Sequence, residues 1–508
     1  MTHRSPLTAA AAALAPRLRE LSFTADAIAL HLGPAATDAL HRGEPGAVRR
    51  RVADSSPVST AIRWFLLRDT LAHDLLTDAL GPQVLELLHA AGAAEKTPSG
   101  SRMLIDVRPH VIAGEDRLVF SDFDASMTEV VPGPDHVLGV GAASLSLLGS
   151  TPLSPVGSVL DLGTGSGVLA LAQAGCAESV TATDVHGPAL DFAQATAAAA
   201  GLTETITFRE GSWFEPVEGE RFDRIVANPP FVVGLPEVGH VYRDSGLDLD
   251  GASELVVSRA PEFLAEGGTA HLLAAWVHTP GQSWQQRVAS WLPDRGVEAW
   301  VLQRDVADPE LYVGTWIRDE SLDPRSPEAQ ERTRAWLDHF AAHDVTGIGF
   351  GFVALRDIGD RPSEVTAEEL TQSFTDPLGP EVEEYFLRTA WLRDRSPEEV
   401  AAARFRVRPG LAREQVSLPD TDEGVGFSPA ALRLTRTDGP RFSHDVDEAI
   451  AAIVAGLRPD GLSLEETVGL FAFSRGLDED TLIEGAVAAV VDLVRHGLVL
   501  PADLTEGN

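Results

Sequence analysis

The segment Val159–Leu169 constrains the fold of this chain more than any other stretch of its sequence. It begins with a short apolar run and continues as Asp-Leu-Gly-Thr-Gly-Ser-Gly before a second apolar stretch. This order is typical of a buried parallel strand that enters a glycine-rich turn and then a helix. Gly163, Gly165 and Gly167 let the backbone turn sharply and let a ligand approach the unpaired amide groups that open the helix. We therefore predict a cofactor loop at the carboxyl end of a parallel strand.

Acidic residues near this loop bear on the identity of the cofactor. The glycines are spaced G-x-G-x-G, whereas loops that bind nicotinamide dinucleotides prefer G-x-G-x-x-G. Asp161 at the end of the first strand suits the ammonium group of a methionine moiety and would repel a pyrophosphate. Asp184 ends the next strand, where a carboxylate binds both ribose hydroxyls of an adenosine, as it also does in NAD-binding folds. We expect Asp161, Thr164 and Asp184 to bind S-adenosyl-L-methionine together with the glycines.

The segment after the third predicted strand is expected to hold the adenine of that cofactor. The strand Ile206–Glu210 leads into Gly211-Ser212-Trp213-Phe214. Residues at this place in such folds lie beside the base, so Ser212 is expected to hydrogen-bond its edge. Either Trp213 or Phe214 is expected to line the face of the ring.

A fourth predicted strand delivers a motif with chemistry of its own. The strand Phe222–Ala227 ends in Asn228-Pro229-Pro230-Phe231, at the carboxyl edge where doubly wound sheets bind ligands. An amide or aromatic amine nitrogen is a poor nucleophile because its lone pair is delocalised. If the Asn228 side-chain oxygen and the Pro229 carbonyl accept its two N–H bonds, electron density returns to the nitrogen.

The rest of this motif is expected to position the reacting groups. Pro229 and Pro230 stiffen the loop, and Phe231 is expected to stack on a planar target group. Asn228 is also expected to contact the cofactor. Because the alignment of nitrogen, methyl and sulfur is the main task in methyl transfer, we predict that all residues of the motif take part in catalysis.

These segments resemble the class I S-adenosylmethionine-dependent methyltransferases that carry an N-P-P-[YF] motif. The release-factor glutamine N5-methyltransferases resemble the chain through residues 211–217 and 222–230. The small-domain methyltransferases that modify exocyclic amines of ribosomal RNA guanines resemble it through Asn228–Phe231, with Phe where the glutamine enzymes usually have Tyr. Both branches usually carry an acid where this chain has Ser212. The resemblance covers roughly residues 135–275 and implies this cofactor and transfer of methyl to nitrogen.

Three functions remain open at this point. The leading one is methylation of an exocyclic nucleobase amine in structured, ribosomal RNA, which Phe231 and the less acidic amino-terminal region favour. The net charge of −36 opposes binding of nucleic acid, but residues 1–110 hold 12 Lys or Arg and 11 Asp or Glu, with Arg49–Arg51 as the densest basic segment. The second is N5 methylation of a protein glutamine, which the acidity and residues 211–217 favour. The third is a non-catalytic scaffold that binds the cofactor.

The order of predicted elements indicates an α/β protein with three parts. Residues 1–125 are expected to form a winged-helix-like domain for substrate recognition, because helices precede a hairpin. Residues 126–358 are expected to form a seven-stranded Rossmann-like methyltransferase sheet. Residues 359–508 are expected to form an acidic helical domain, whose order also suits a winged helix. Its second terminal helix is predicted to begin with a capping box of Ser463 and Glu466.

Composition adds a few expectations about cofactors and location. The single cysteine, Cys176, excludes an intramolecular disulfide and is expected to pack in a helix. The 15 histidines show no paired spacing with Cys or acids that is typical of a metal site, so no metal is expected. No stretch approaches the roughly 20 apolar residues of a spanning helix. We therefore expect a cytoplasmic enzyme that needs neither metal nor membrane.

Overall fold

The chain divides into two compact units. A computed structural model describes residues 5–123, 127–129, 132–238, 244–319, 322–374, 377–421 and 424–504. The first unit contains residues 1–148 and 153–369, and the second contains the rest of the chain. Among the described residues no helix is both long and apolar enough to cross a membrane.

The amino-terminal part of the first unit consists of short helices followed by two β-hairpins. Proline occupies the first turn of several of these helices, where its missing N–H costs no hydrogen bond. The order of helices and then hairpin agrees with the expectation from sequence, and the likeness to a winged helix stays a prediction. The elements are α1 (Pro6–Glu20), α2 (Ala25–Leu32), α3 (Pro34–His41), α4 (Pro45–Arg51), α5 (Pro57–Ala61) with a π-helical turn Ile62–Leu66, α6 (His73–Leu80), α7 (Pro82–Ala90), β1 (Ala94–Thr97), β2 (Gly100–Met103), β3 (Asp106–Ile112) and β4 (Glu115–Ser121).

A mixed β-sheet forms the centre of the first unit. Its strands are β5 (Val156–Leu162), β6 (Ala177–Asp184), β7 (Ile206–Glu210), β8 (Phe222–Ala227), β9 (Leu264–His278), β10 (Arg295–Ala307), β11 (Gly347–Pro362) and β12 (Glu364–Glu369). They lie in the order β12-β10-β11-β9-β8-β5-β6-β7. Strands β5 to β9 pair in parallel with one another. Strand β11 is antiparallel to both of its neighbours, β9 and β10. The predicted α/β class with a methyltransferase-like sheet is confirmed.

The sheet differs from the prediction in its number of strands. Seven strands were expected, and the described part of the chain contains eight in this sheet. The additional strand, β12, pairs in parallel with β10 at the edge. Its sequence, Glu-Val-Thr-Ala-Glu-Glu, has no buried residue and little apolar alternation, as suits an edge that must avoid pairing with other chains. The hydrophobic pattern therefore gave no signal for it.

Helices cover the sheet, and one of them joins the amino-terminal core. The helices of this part are α8 (Ala142–Ser150), α9 (Val168–Gln173), α10 (Gly187–Ala200), α11 (Gly251–Arg259), α12 (Trp284–Ala289), α13 (Pro309–Asp319) and α14 (Pro327–Ala342). Helix α1 packs against α10, so Leu14 and Phe192 lie in the same hydrophobic core. The predicted domain boundary between residues 125 and 126 lies outside the described residues, and the division of the first 358 residues into two domains stays a prediction.

The second unit is not purely helical. Its strands β14, β15 and β16 form an antiparallel sheet, and β13 pairs with β17. The helices expected in this part of the chain are present, and strands accompany them that the sequence did not indicate, because most of β14 is exposed and has no buried face to mark it. The capping box of Ser463 and Glu466 is confirmed at 3.2 and 2.8 Å. The elements are α15 (Gly379–Arg393), α16 (Pro397–Ala402), β13 (Phe405–Val407), β14 (Leu411–Pro419), β15 (Phe427–Arg436), β16 (Ser443–Asp445), α17 (Glu448–Gly456), α18 (Leu464–Arg475), α19 (Glu479–Arg495) and β17 (Val499–Pro501).

Candidate functional site

The glycine-rich loop adopts a backbone that side chains would oppose. Gly163, Gly165 and Gly167 have φ values of 73°, 53° and 86°, in the left-handed region that glycine enters without strain. At Gly167 a Cβ would lie 3.2 Å from the Cα of Ala193 in α10. At Gly163 and Gly165 a Cβ would meet no atom within 4 Å, so a side chain there would project into open space beside the loop. The loop therefore needs glycine for its own shape and for the space next to it.

Asp184 connects the end of β6 to this loop. Its Oδ2 accepts a hydrogen bond from the Gly165 N–H at 2.8 Å, and its Oδ1 accepts one from the His186 N–H at 2.9 Å. Burial raises the pKa of the Asp184 carboxyl above its usual value, while these backbone hydrogen bonds lower it. The carboxylate is thus held in one orientation beside the glycines, where it can accept further hydrogen bonds from a ligand.

Asp161 lies in the core and does not line a cavity with the other predicted ligand-binding residues. Its side chain is fully buried, and Oδ2 accepts hydrogen bonds from the Thr164 hydroxyl at 2.6 Å and from the Ala170 N–H at 2.9 Å. Within the described residues its Oδ1 has no hydrogen-bond partner. Burial raises the pKa of this carboxyl to about 7. Asp161 therefore braces the loop against the first turn of α9 from within the core, and its contact with a ligand ammonium group stays a prediction.

A cavity of about 410 Å³ brings most of the predicted residues together. Its size falls within the roughly 300–1,000 Å³ that is usual for small-molecule sites. Asp161, Gly167 and Phe231 do not line it. The predicted site residues that do line it are Gly163, Thr164, Gly165, Asp184, Ser212, Trp213, Asn228, Pro229 and Pro230.

Asn228 is held by a residue that the sequence analysis does not identify. Its Nδ2 donates to the Ser144 hydroxyl oxygen of α8 at 3.3 Å, and no described residue donates to its Oδ1. The side-chain oxygen is therefore available to accept a hydrogen bond from an amino group in the cavity. Ser144 lies 84 positions before Asn228, so nothing in the local sequence relates the two residues.

The aromatic residues of the two motifs separate in the structure. Trp213 lines the cavity, with an unusual positive φ of 47°, whereas Phe214 is buried and stacks on Phe263 at 4.5 Å between ring centres. Of the two candidates for the adenine face, only Trp213 is thus in position. Phe231 packs in a hydrophobic cluster with Val233 instead of lining the cavity, so the expected stacking on a target group is not supported by its position.

A second cavity of about 350 Å³ adjoins the first and is lined by the same Val238, Asp244 and Ser245. Its other wall comes from α14 in the insertion between β10 and β11. This wall carries Glu328 and Glu331. The sequence gives no sign that this insertion lies at the site, because α14 approaches the Asn228 motif only in the folded chain.

A group of possible metal ligands lies near this second cavity. Asp248, His339 and His343 each offer a ligand atom, and these atoms lie within 4.8 Å of one another. The two histidines are four residues apart on α14 and its end, a spacing that places both on one face of a helix. The expectation from sequence rested on histidines paired with Cys or acids and did not include this pair of histidines. Asp248 is 91 positions from His339, and no local signal connects it to the pair.

Comparison with known proteins places the site within one family domain. Residues 139–276 match the family model of the methyltransferase small domain. Residues 20–104 and 383–501 match two models described as domains of unknown function (DUF7059 and DUF7782). The cavity residues of β5 to β8 thus fall inside the methyltransferase match, while the flanking matches carry no functional description.

Individual relatives match the same part of the chain. The release factor glutamine methyltransferase of Xylella fastidiosa is 39% identical over 133 residues, which cover 23% of this chain and 46% of that protein. The ribosomal RNA small subunit methyltransferase C of Salmonella newport is 32% identical over 155 residues, covering 30% of this chain and 41% of that protein. The chain thus spans less than half the length of these curated relatives.

A solved structure of a 16S rRNA methyltransferase from T. thermophilus, in complex with AdoMet and guanosine, is 21% identical and covers 41% of this chain and 56% of that one, with a TM-score of 0.27. That score is too low to support an argument. The sequence matches confirm the predicted resemblance to the N-P-P-[YF] methyltransferases. The central part of the chain, residues 139–276, is therefore similar to the methyltransferase small domain.

Proposed function

We propose that this protein transfers a methyl group from S-adenosyl-L-methionine to the nitrogen of a planar amino or amide group. One observation carries the proposal: Asn228, Pro229 and Pro230 line the same cavity as the glycine loop and Asp184. This shared lining supports a cofactor site with hydrogen-bond acceptors for an amino group beside it. The names of both curated relatives describe methyltransferases, which supports the same reaction class.

The residues of the cavity fit this cofactor by their chemistry. Asp184 provides carboxylate oxygens for the ribose hydroxyls, and its orientation is set by the Gly165 and His186 amides. Ser212 and Trp213 provide a hydroxyl and an aromatic ring for the adenine. When bound, the cofactor supplies an electrophilic methyl group on sulfur.

Asn228 and Pro229 act on the acceptor nitrogen. Its two N–H groups donate to the Asn228 Oδ1 and to the Pro229 carbonyl, and these interactions return electron density to the nitrogen. Ser144 keeps Nδ2 of Asn228 turned away from that role through its hydrogen bond. As the N–C bond forms and the S–C bond breaks, the nitrogen becomes positively charged and acidic, so its proton is lost afterwards without a strong base. The contribution of the protein is alignment and polarisation.

For the acceptor we favour the side-chain amide of a protein glutamine. Among the described residues that line the adjoining cavity, Glu237, Asp244, Glu328 and Glu331 are acidic and only Arg332 is basic. Such a wall is unfavourable for the phosphate groups of a nucleic acid. The relative from Xylella fastidiosa, which is named as a glutamine methyltransferase, agrees with this choice.

The acceptor that the sequence favours, an exocyclic base amine of structured ribosomal RNA, has less support from the structure. Phe231 lies away from the cavity. In the basic segment, Arg49 pairs with Asp69 at 3.0 Å and Arg51 donates to the Leu32 carbonyl at 3.2 Å. The Salmonella relative is named as a ribosomal RNA methyltransferase, and for this reason RNA is included as an outcome of the test.

A labelling experiment tests the reaction and the acceptor together. The full chain and radiolabelled S-adenosyl-L-methionine are added to lysate from a strain that lacks the gene, and the labelled material is then digested with protease or with ribonuclease. We expect label that protease releases and that mass spectrometry locates on a glutamine amide. Label released by ribonuclease would instead establish the RNA acceptor.

Two variants make the result specific for the site. Asn228→Ala should abolish most of the labelling, whereas Gln415→Ala, which removes an exposed amide in β14, should leave it unchanged. If wild-type protein binds the cofactor but labels neither protein, RNA nor small molecules, the chain is a cofactor-binding scaffold and the proposed activity is refuted.

A further inference from the structure

Three side chains from separate segments meet at the surface beside the second cavity. The His339 Nε2 lies 2.7 Å from the Asp248 Oδ1, and the His343 Nε2 lies 4.0 Å from the Asp248 Oδ2. The two imidazole rings are 4.5 Å apart between centres. We call these residues the Asp248–His339–His343 cluster.

One hydrogen bond of His343 determines which of its two ring nitrogens has a lone pair available to the cluster. The His343 Nδ1 is 2.9 Å from the backbone carbonyl oxygen of His339. Because a carbonyl oxygen can only accept, Nδ1 carries the proton and donates it. In the neutral ring Nε2 then has a free lone pair directed toward Asp248. A histidine that binds a metal usually donates its other N–H to a carbonyl or carboxylate in this way.

The donor set is one that divalent transition metals prefer. Two imidazoles and one carboxylate suit zinc and its neighbours, and a water molecule would complete a tetrahedral site. Metal–ligand distances of roughly 2.0–2.2 Å place tetrahedral ligands about 3.3–3.6 Å apart, so the three ligand atoms, which lie within 4.8 Å of one another, must come closer through rotation of their side chains when an ion binds. Asp248 and His343 are exposed by 50% and 41%, which leaves the cluster accessible to an ion from solution.

We propose that Asp248, His339 and His343 bind a divalent transition metal ion, with zinc as the expected occupant. The ion takes the place of the hydrogen bond between the His339 Nε2 and the Asp248 Oδ1: the His339 ring holds its proton on Nδ1, any excess proton leaves to solvent, and both Nε2 lone pairs and the carboxylate bind the ion. Sequence alone pointed away from a metal, since only the fold brings Asp248 to the helical pair.

The position of this site gives the metal a structural role. Asp248 belongs to residues 244–250, whose Asp244 and Ser245 line both cavities. The other end of this segment is already fixed, because Asp250 accepts two hydrogen bonds from Arg287 at 2.6 Å each and one from the Val277 N–H at 2.9 Å. A metal at Asp248 would attach the middle of the segment to α14 and so hold the shared wall of the two cavities in place.

Zinc binding is measured on the full chain without cofactor or acceptor, so the result does not depend on the proposed methyl transfer. The protein is treated with a chelator, desalted, and titrated with zinc chloride against a chromophoric competitor, and retained metal is then counted by mass spectrometry. We expect one tight zinc ion per wild-type chain. His339→Ala, His343→Ala and Asp248→Asn should each weaken this binding by about tenfold or more, since even outer-shell changes cost about that much.

A matched control and a second measurement keep the outcome decisive. His73→Ala, which removes an exposed histidine at the start of α6, should bind zinc like the wild type. Hydrogen exchange in residues 244–250 should slow when zinc is added to the wild type and should not respond in Asp248→Asn. The proposal is overturned if the wild type retains no zinc, or if the three cluster variants retain as much as the wild type. Should an alanine variant fail to fold, the conservative Asp248→Asn variant still decides.

Discussion

The two halves of the cavity are built in different ways. On the proposed cofactor side, the Thr164 hydroxyl and the Ala170 N–H donate to Asp161 and the Gly165 N–H donates to Asp184, so these partners lie at most 19 positions apart. On the acceptor side, Asn228 depends on Ser144, and the Val233 N–H donates to the Tyr312 hydroxyl at 2.7 Å, across 79 positions. The first half is a local structure that one motif specifies, whereas the second is assembled from distant segments. Changes in each half should therefore have separable effects.

The largest effect is expected on the acceptor side, from Asn228→Ala. Removal of the side-chain acceptor should lower kcat by on the order of 10²-fold or more, because the lost hydrogen bond is strongest as charge develops on the nitrogen. Cofactor affinity should change little. Steady-state kinetics with the identified acceptor and calorimetric titration with S-adenosyl-L-methionine measure the two quantities. A loss of cofactor affinity as large as the loss of kcat would contradict the separation of the two halves.

The next effect is expected on the cofactor side, from Asp184→Ala. This change removes the proposed ribose acceptor and leaves the Gly165 and His186 amides without their partner. We expect the affinity for S-adenosyl-L-methionine to fall by roughly 10- to 100-fold, which corresponds to the loss of hydrogen bonds to a charged group. Glu210→Ala, at the end of the neighbouring β7, is the control and should bind normally. Unchanged affinity in Asp184→Ala would rule out the ribose assignment.

The next prediction concerns how the free energy of unfolding depends on pH through Asp161, beside the glycine loop. Because burial raises the pKa of Asp161 to about 7 in the folded protein, the folded state binds a proton that the unfolded state releases near pH 4. The free energy of unfolding should therefore contain a contribution that is present below about pH 4 and is lost as the pH rises toward 7. Asp161→Asn cannot titrate and should flatten this part of the stability profile.

Denaturant unfolding at several pH values between 4 and 7 measures this contribution. The comparison is between the wild type, Asp161→Asn and the control Asp191→Asn, which changes an exposed acid on α10. The control should follow the wild type. If Asp161→Asn shows the same slope with pH as the wild type, the carboxyl is not protonated in the folded state and its bracing role must involve the charged form.

The smallest effect is expected from Ser144→Ala. Loss of one hydrogen bond to a neutral amide is worth about 0.5–1.5 kcal/mol, so kcat should fall by roughly 2- to 10-fold with KM for the cofactor unchanged. Ser146→Ala on the same helix is the control, because its hydroxyl accepts from Arg304 instead. In the Asn228→Ala background the Ser144 change should have no further effect. An additive loss there would show that Ser144 acts by some route other than Asn228.

Parts of the fold with strong local patterns were predicted well. The strands Ile206–Glu210 and Phe222–Ala227 have the bounds expected from their sequences, because both lie between clear turn signals and β8 is largely buried. The edge strand β12 and strand β14 of the second unit were missed, because β12 has no fully buried residue and most of β14 is exposed. Burial on at least one face is what makes a strand visible in a sequence.

The sequence by itself determined the glycine loop and the place of the Asn228 motif at the end of β8, while their roles in cofactor binding and methyl transfer stay predictions. Glycine spacing, strand order and the acid at the end of β6 depend on interactions within one local unit, so they can be read along the chain. Only the tertiary structure decided that Phe214 and Phe231 leave the cavity, that Asp161 is buried behind the loop, and that Ser144 holds Asn228. It also decided that Asp248 meets His339 and His343. These outcomes depend on which distant segments pack together to bury apolar surface, and no spacing in the sequence encodes such long-range neighbours.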